Sequence, residues 1–280
     1  MLWQGRRESS NVDDRRGIGG GGLAVGGGIG GVIIAIIYFF LGGGSGGNGD
    51  TDFLHQQAPQ TQEQKAAEDQ LASFSKVVFA DTEDVWNKLF SEQGKNYVEP
   101  RMVLFSGSDQ SGCGFASAAT GPFYCPADSK VYLDLTFFQE LQERFNAPGD
   151  FAMAYVIAHE VGHHVQHLLG VTEQVDRMRG RISETEMNKL SVRLELQADF
   201  LAGVWAHHAQ RTKQILESGD VEEALRAANA IGDDRLQQQS QGYVVPDAFT
   251  HGTSEQRMFW FKKGFQTGDL KQGDTFNSDL

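Results

Sequence analysis

The chain has 280 residues, with 37 acidic against 24 basic side chains and a net charge of −13. That balance argues against a nucleic-acid binder, which needs a basic face to release counterions. At 40 % hydrophobic residues it can bury a core, and its one long uncharged stretch excludes a multi-span membrane protein.

Sixteen of the 34 glycines fall in residues 17–49, so an unusual segment precedes a part of ordinary composition. Residues 1–16 carry Arg6, Arg7, Arg15 and Arg16. No charge follows until Asp50, and residues 23–41 are apolar or glycine. This is close to the roughly 20 residues that cross a hydrocarbon core. No small-residue cleavage site follows Leu41, so the expectation is an uncleaved, Gly-rich transmembrane anchor over residues 17–41. The arginines before it and Asp50, Asp52, Glu63 and Glu68 after it predict a cytoplasmic N-terminus. The remainder would then lie across the membrane. Residues 42–75 read as a flexible linker, Gly/Ser/Asn first and then Gln-rich. Residues 76–280 read as the globular domain.

Within that domain, Val85, Trp86, Leu89 and Phe90 predict a helix over 82–94. Met102 to Phe105 and Val131 to Leu135 read as strands. Thr136 with Gln139 suggests a capping box for a short helix, and Asp150 a cap for a helix ending at Gly170. Ser183 with Glu186 opens a long helix to about residue 208. Another helix covers about 221–231, and Thr253 with Gln256 opens the last one. The tail after Gln266 is polar and reads as frayed.

The chemistry is concentrated in His159-Glu160-Val161-Gly162-His163. Two histidines at i and i+4 on one helix face can reach a single ion, with Glu160 turned toward a water held there. Zinc suits two imidazoles plus a third ligand. Glu195 and Asp199 repeat the i, i+4 spacing beside an apolar stripe, where unpartnered carboxylates would be expensive. Glu195 is therefore assigned as the third ligand. Asp199 is assigned as acceptor of the outer N–H of His159. A third histidine in the pattern H-E-x-x-H-x-x-G-x-x-H is ruled out, because Gln166 and Leu169 stand at the required positions. His167 continues the ligand face and His164 adjoins it. His251 precedes a capped helix and is a candidate oxyanion partner, with Arg257 either joining it or standing with Asp199 behind the ligands. Cys113 and Cys125 form neither a redox pair nor a metal knuckle. Outside the cytoplasm they would form a disulfide.

These residues resemble the bacterial neutral zinc metallopeptidases, single-pass membrane proteins with a zincin-like C-terminal domain. The likeness runs through residues 3–9, 121–128, 131–134, 159–166, 195–199 and 251–257. It is similar more widely to gluzincin membrane endopeptidases, several of which carry Thr-His-Pro with an arginine six residues after the histidine. Here Gly252 replaces the proline and Arg257 keeps the offset. The resemblance implies an α+β zincin-like domain, mostly helical with a small mixed sheet, behind one transmembrane helix of the cell inner membrane and facing the periplasm or exterior. It implies one Zn2+ per chain and a protein or peptide substrate, with Val131 to Leu135 as the strand that pairs with it. Glu160 would act as general base and His251 as a catalytic partner. The competing readings are a zinc-stabilised membrane scaffold and a zinc amidase acting on cell-wall crosslinks.

Overall fold

A computed structural model describes residues 1–17, 61–117 and 120–279. The expected membrane segment, residues 23–41, lies outside them. Among the described residues no helix is long and apolar enough to cross a membrane.

The first described helix, α1 (Gln62–Glu92), starts inside the segment expected to be linker, 20 residues before the predicted helix start. Thr61 and Gln64 form the capping box that opens it. Its first turns are Gln, Glu and Ala, good helix formers that carry no apolar stripe and so conceal the helix from periodicity. The stripe begins at Ala72 and continues through Phe74, Val78, Val85, Trp86 and Leu89, all buried.

Residues 1–17 belong to the same fold. Strand β1 (Val12–Asp14) pairs in parallel with β2 (Arg101–Phe105), Val12 opposite Met102 and Asp14 opposite Leu104. The Trp3 ring meets Phe74 edge-on at 5.5 Å. All four arginines pair with acids: Arg6 with Asp81 at 2.6 Å, Arg7 with Asp84 at 2.7 Å, Arg15 with Asp109 at 2.9 Å, and Arg16 with Asp14 at 2.8 Å and Asp69 at 3.2 Å. Strand pairing and these ion pairs dock residues 1–17 on the fold of residues 61–279, so the arginines that suggested a cytoplasmic foot are structural partners.

The sheet has the order β1-β2-β6-β5, with β6 (Lys130–Asp134) parallel to β2 and β5 (Phe123–Cys125) antiparallel to β6. Alternation along the strands sends Met102, Leu104, Val131 and Leu133 into the main core against the helices. Val103, Phe105 and Tyr132 pack with Ala116 and Cys125 on the other face. The hairpin of β3 (Ser108–Ser111) and β4 (Gly114–Ser117) covers that face, and the disulfide Cys113–Cys125 ties it to β5. Strand β6 lies between two neighbours and has no free edge; the antiparallel edge strand is β5. The residues expected to pair with a substrate are therefore not available for it.

Helix α2 (Thr136–Glu143) opens without the expected box. Asp134 takes that role, its Oδ1 accepting from the Thr136 N–H at 2.9 Å and from its hydroxyl at 2.8 Å. Helix α3 (Asp150–Leu168) likewise has no cap from Asp150, and Glu223 accepts the Phe151 N–H instead. A short α4 (Val171–Asp176) follows Gly170, which takes the left-handed conformation expected of a helix stop. The boxes at Ser183 and Thr253 are formed and open α5 (Glu184–Lys213) and α8 (Ser254–Thr267). Between them lie α6 (Asp220–Ala230) and α7 (Asp233–Gln241). The tail is packed rather than frayed: Thr275 is buried and its hydroxyl donates to the Arg193 carbonyl at 2.6 Å.

Two close helix crossings bring the chemistry together. A Cβ on Gly162 of α3 would stand 3.0 Å from the Ala198 carbonyl of α5, so glycine inside the histidine motif lets the two backbones meet beside Glu195 and Asp199. A Cβ on Gly264 of α8 would stand 2.1 Å from the Phe200 carbonyl, and α8 is held still closer to α5. The fold is α+β, mostly helical with a small mixed sheet.

Candidate metal centre

One turn of α3 separates His159 from His163. Their rings stand 4.8 Å apart and nearly perpendicular. Across the Gly162 contact, α5 supplies Glu195. Its Oε2 lies 3.1 Å from Nε2 of His159 and its Oε1 3.5 Å from Nε2 of His163. The candidate ligand atoms of these three residues all fall within 4.8 Å of one another. Two imidazole nitrogens and one carboxylate oxygen, converging at the wall of a buried helix pair, are the donor set zinc takes in open catalytic sites.

Each histidine is held by its other nitrogen. Nδ1–H of His159 donates to Asp199 at 2.8 Å, and Nδ1–H of His163 to the Gln166 side-chain carbonyl at 2.9 Å. Both Nε2 atoms are thereby turned toward Glu195. Gln166 is itself fixed, its amide donating to the Leu194 carbonyl at 2.7 Å and to Gln197 at 3.1 Å. Asp199 is fully buried. It accepts from Arg257 Nε at 2.8 Å and Nη2 at 3.0 Å and from the Tyr155 hydroxyl at 2.5 Å.

The charges follow from this packing. Burial opposes the Asp199 charge, but Arg257 and His159 outweigh it and hold the carboxyl at about 2. Burial would keep His159 neutral, but Asp199 and Glu195 push it up to about 10. Glu195 is held well below the usual carboxylate range, His163 and His159 overcoming the cost of its burial. Glu160 moves the other way: burial raises it, and the neighbouring histidines only partly offset that. Two carboxylates on one site thus differ in basicity, as ligand and proton acceptor should.

His251 is buried beside this cluster, near enough for the charge of Glu195 to act on it. Asp233 at the start of α7 holds the loop. One of its carboxylate oxygens accepts the backbone N–H groups of Thr250 (2.7 Å), His251 (2.6 Å) and Gly252 (3.1 Å), and the other lies 3.1 Å from His251 Nδ1. Burial disfavours the imidazolium, but Asp233 reverses this and raises His251.

The sequence matches the family described as "Putative neutral zinc metallopeptidase" over residues 1–276. The chain belongs to this family. It is 50 % identical over 288 aligned residues to the uncharacterized protein YpfJ of Escherichia coli strain K12, with all of both chains covered. It is 46 % identical over 206 residues to the uncharacterized proteins Mb2605 of Mycobacterium bovis and Rv2575 of Mycobacterium tuberculosis, covering 69 % of this chain and 67 % of theirs. No solved structure matches the chain. Membership in a zinc peptidase family agrees with the donor set described above, and it reaches the N-terminal arm as well as the metal helix.

The structure brings together the residues singled out in the sequence: His159, His163 and Glu195 converge, Asp199 meets His159, and Glu160 and His251 flank them. Arg257 stands with Asp199 behind the ligands, the second of the two places considered for it. Its guanidinium is occupied by Asp199, by the Tyr155 hydroxyl at 3.2 Å and by the Ile231 carbonyl at 3.3 Å. His167 does not join the ligands, since its Nδ1 lies 2.7 Å from the Tyr124 hydroxyl. His164 is buried, and burial pushes it down to about 4.

Four participants escape the sequence reading. Tyr155 lies one turn before His159 on the same face, and Gln166 one turn after His163, so their spacing carried a signal. Tyr124 lies within the 121–128 stretch of the family likeness, which marked the stretch but not its role; Asp233 reaches the site only through tertiary packing and left no signal.

Proposed function

We propose that this chain is a zinc-dependent endopeptidase with a zincin-like domain of the gluzincin kind, in which His159, His163 and Glu195 hold one metal ion. The observation that carries this reading is the convergence of two histidines and the buried Glu195, the outer nitrogens of the histidines being already committed to Asp199 and Gln166. Zinc at this position would supply a Lewis acid for the scissile carbonyl and acidify the attacking water.

Glu160 would take a proton from that water and pass it to the leaving amine, and burial raises its basicity for the task. His251, held by Asp233, would donate to the developing oxyanion. Strand β5 offers its free antiparallel edge to an extended peptide. A purely structural zinc site would take four protein ligands and need no buried acid beside them.

The disulfide Cys113–Cys125 favours an oxidising compartment for the whole fold, outside the cytoplasm. Residues 23–41 are the candidate membrane attachment, with both flanks on that side. The direct test compares hydrolysis of an unfolded protein by the zinc-loaded chain and by its Glu160→Gln variant. Equal rates would remove the proposed mechanism.

A further inference from the structure

Tyr124 is the central residue of β5. Along a strand, side chains alternate, so it leaves the sheet opposite to Phe123 and Cys125. Its hydroxyl lies 3.0 Å from Nδ1 of His164 and 2.7 Å from Nδ1 of His167. Both histidines are on α3, one directly after His163 and the other a turn further on.

The direction of each bond can be worked out. His164 Nε2 lies 2.7 Å from the Val98 carbonyl. A carbonyl only accepts, so Nε2 carries the proton and Nδ1 of the neutral ring is bare. That Nδ1 accepts the Tyr124 O–H. The phenol has then given its one proton, and its oxygen accepts from Nδ1–H of His167. The chain runs from His167 to Tyr124 to His164 to the backbone at Val98, and no member is left with two donors or two acceptors facing each other. It joins the edge strand, the metal helix and the segment that follows α1. Tyr124 thus ties β5 to α3 through its hydroxyl.

We propose that Tyr124 is a positioning residue, whose hydroxyl, clamped between His164 and His167, sets the distance of the substrate-pairing edge of β5 from Glu160. This rests on the peptidase reading of the site. The Tyr124 ring also packs against His164 at 5.3 Å and His167 at 6.0 Å between centroids. Tyr124→Phe therefore keeps the packing and removes only the clamp.

The experiment uses the zinc-loaded full chain, a fluorogenic peptide chosen from its cleavage products on an unfolded protein, and amide hydrogen exchange of residues 123–125. Tyr124→Phe should raise KM about tenfold, the scale of a lost buried hydrogen bond. Its kcat should stay within about threefold, its zinc stoichiometry should be unchanged, and exchange in β5 should be faster. His167→Gln keeps an N–H that can donate to the phenol and should retain a KM near wild type, whereas His167→Ala should behave like Tyr124→Phe. A Tyr124→Phe variant with wild-type KM and wild-type exchange would overturn the proposal. So would a fall in kcat at constant KM, which would place the hydroxyl with the reacting atoms. If the wild-type chain cleaves nothing, the peptidase reading fails, and the exchange measurement alone still decides whether the clamp holds the strand.

Discussion

At the scale of single residues, the site is a set of charges that stabilise one another. Removing a partner that orients a ligand should weaken metal binding without abolishing it. Asp199→Asn is expected to lower zinc affinity about 10–100-fold, measured by competition with a chromophoric chelator. Glu195→Ala removes a ligand outright and should lose tight stoichiometric binding; full retention would displace Glu195 from the metal. Much of this was legible in the sequence. His159 with His163, and Glu195 with Asp199, each lie four residues apart on a helix, where spacing alone fixes a shared face. Asp233 was not legible, because it stands 18 residues from His251 and meets it only after α7 and the loop have packed.

At the scale of elements, the capping boxes at Ser183 and Thr253 were read correctly because both of their hydrogen bonds are local. Those assigned to Thr136 and Asp150 failed because Asp134 and Glu223 reached the open N–H groups first. The three-residue β5 is too short to carry a periodic signal, yet it forms the edge nearest the metal helix. The helix contacts have sharper consequences. A methyl group at Gly264 would meet backbone at 2.1 Å, so α5 and α8 must separate to admit it. Gly264→Ala should destabilise by about 3 kcal/mol in urea unfolding and loosen the Arg257–Asp199 contact; an unchanged midpoint would show that the helices are not in contact there. The disulfide closes a loop with a sequence separation of 12. On the chain-entropy model its removal should cost about 3 kcal/mol.

At the scale of the whole molecule, the basic N-terminal arm is the part most changed by seeing the fold. In sequence, four arginines before an apolar stretch point to a cytoplasmic foot; in the structure the same arginines are bound to acids of the domain. Ser10→Cys and Glu255→Cys, each at an exposed position, should therefore react alike with a membrane-impermeant maleimide in intact cells. Opposite labelling would contradict the docked arm. Arg101 holds Asp13, and Arg16 with Lys76 holds Asp14, below their usual range; of these pairs Arg101–Asp13 and Lys76–Asp14 join the arm to the domain. Docking is thus fully supported above about pH 4 and weakens as the pH falls through the lowered folded values. Limited proteolysis of the arm against pH would follow this.

The central claim is that a folded chain holding one zinc ion uses Glu160 to hydrolyse peptide bonds. Metal content and cleavage of an unfolded protein, measured together on wild type and Glu160→Gln, test it most directly. Both proteins should hold one zinc, and the variant should be slower by at least about a hundredfold. Stoichiometric zinc with undiminished cleavage in Glu160→Gln would contradict the account.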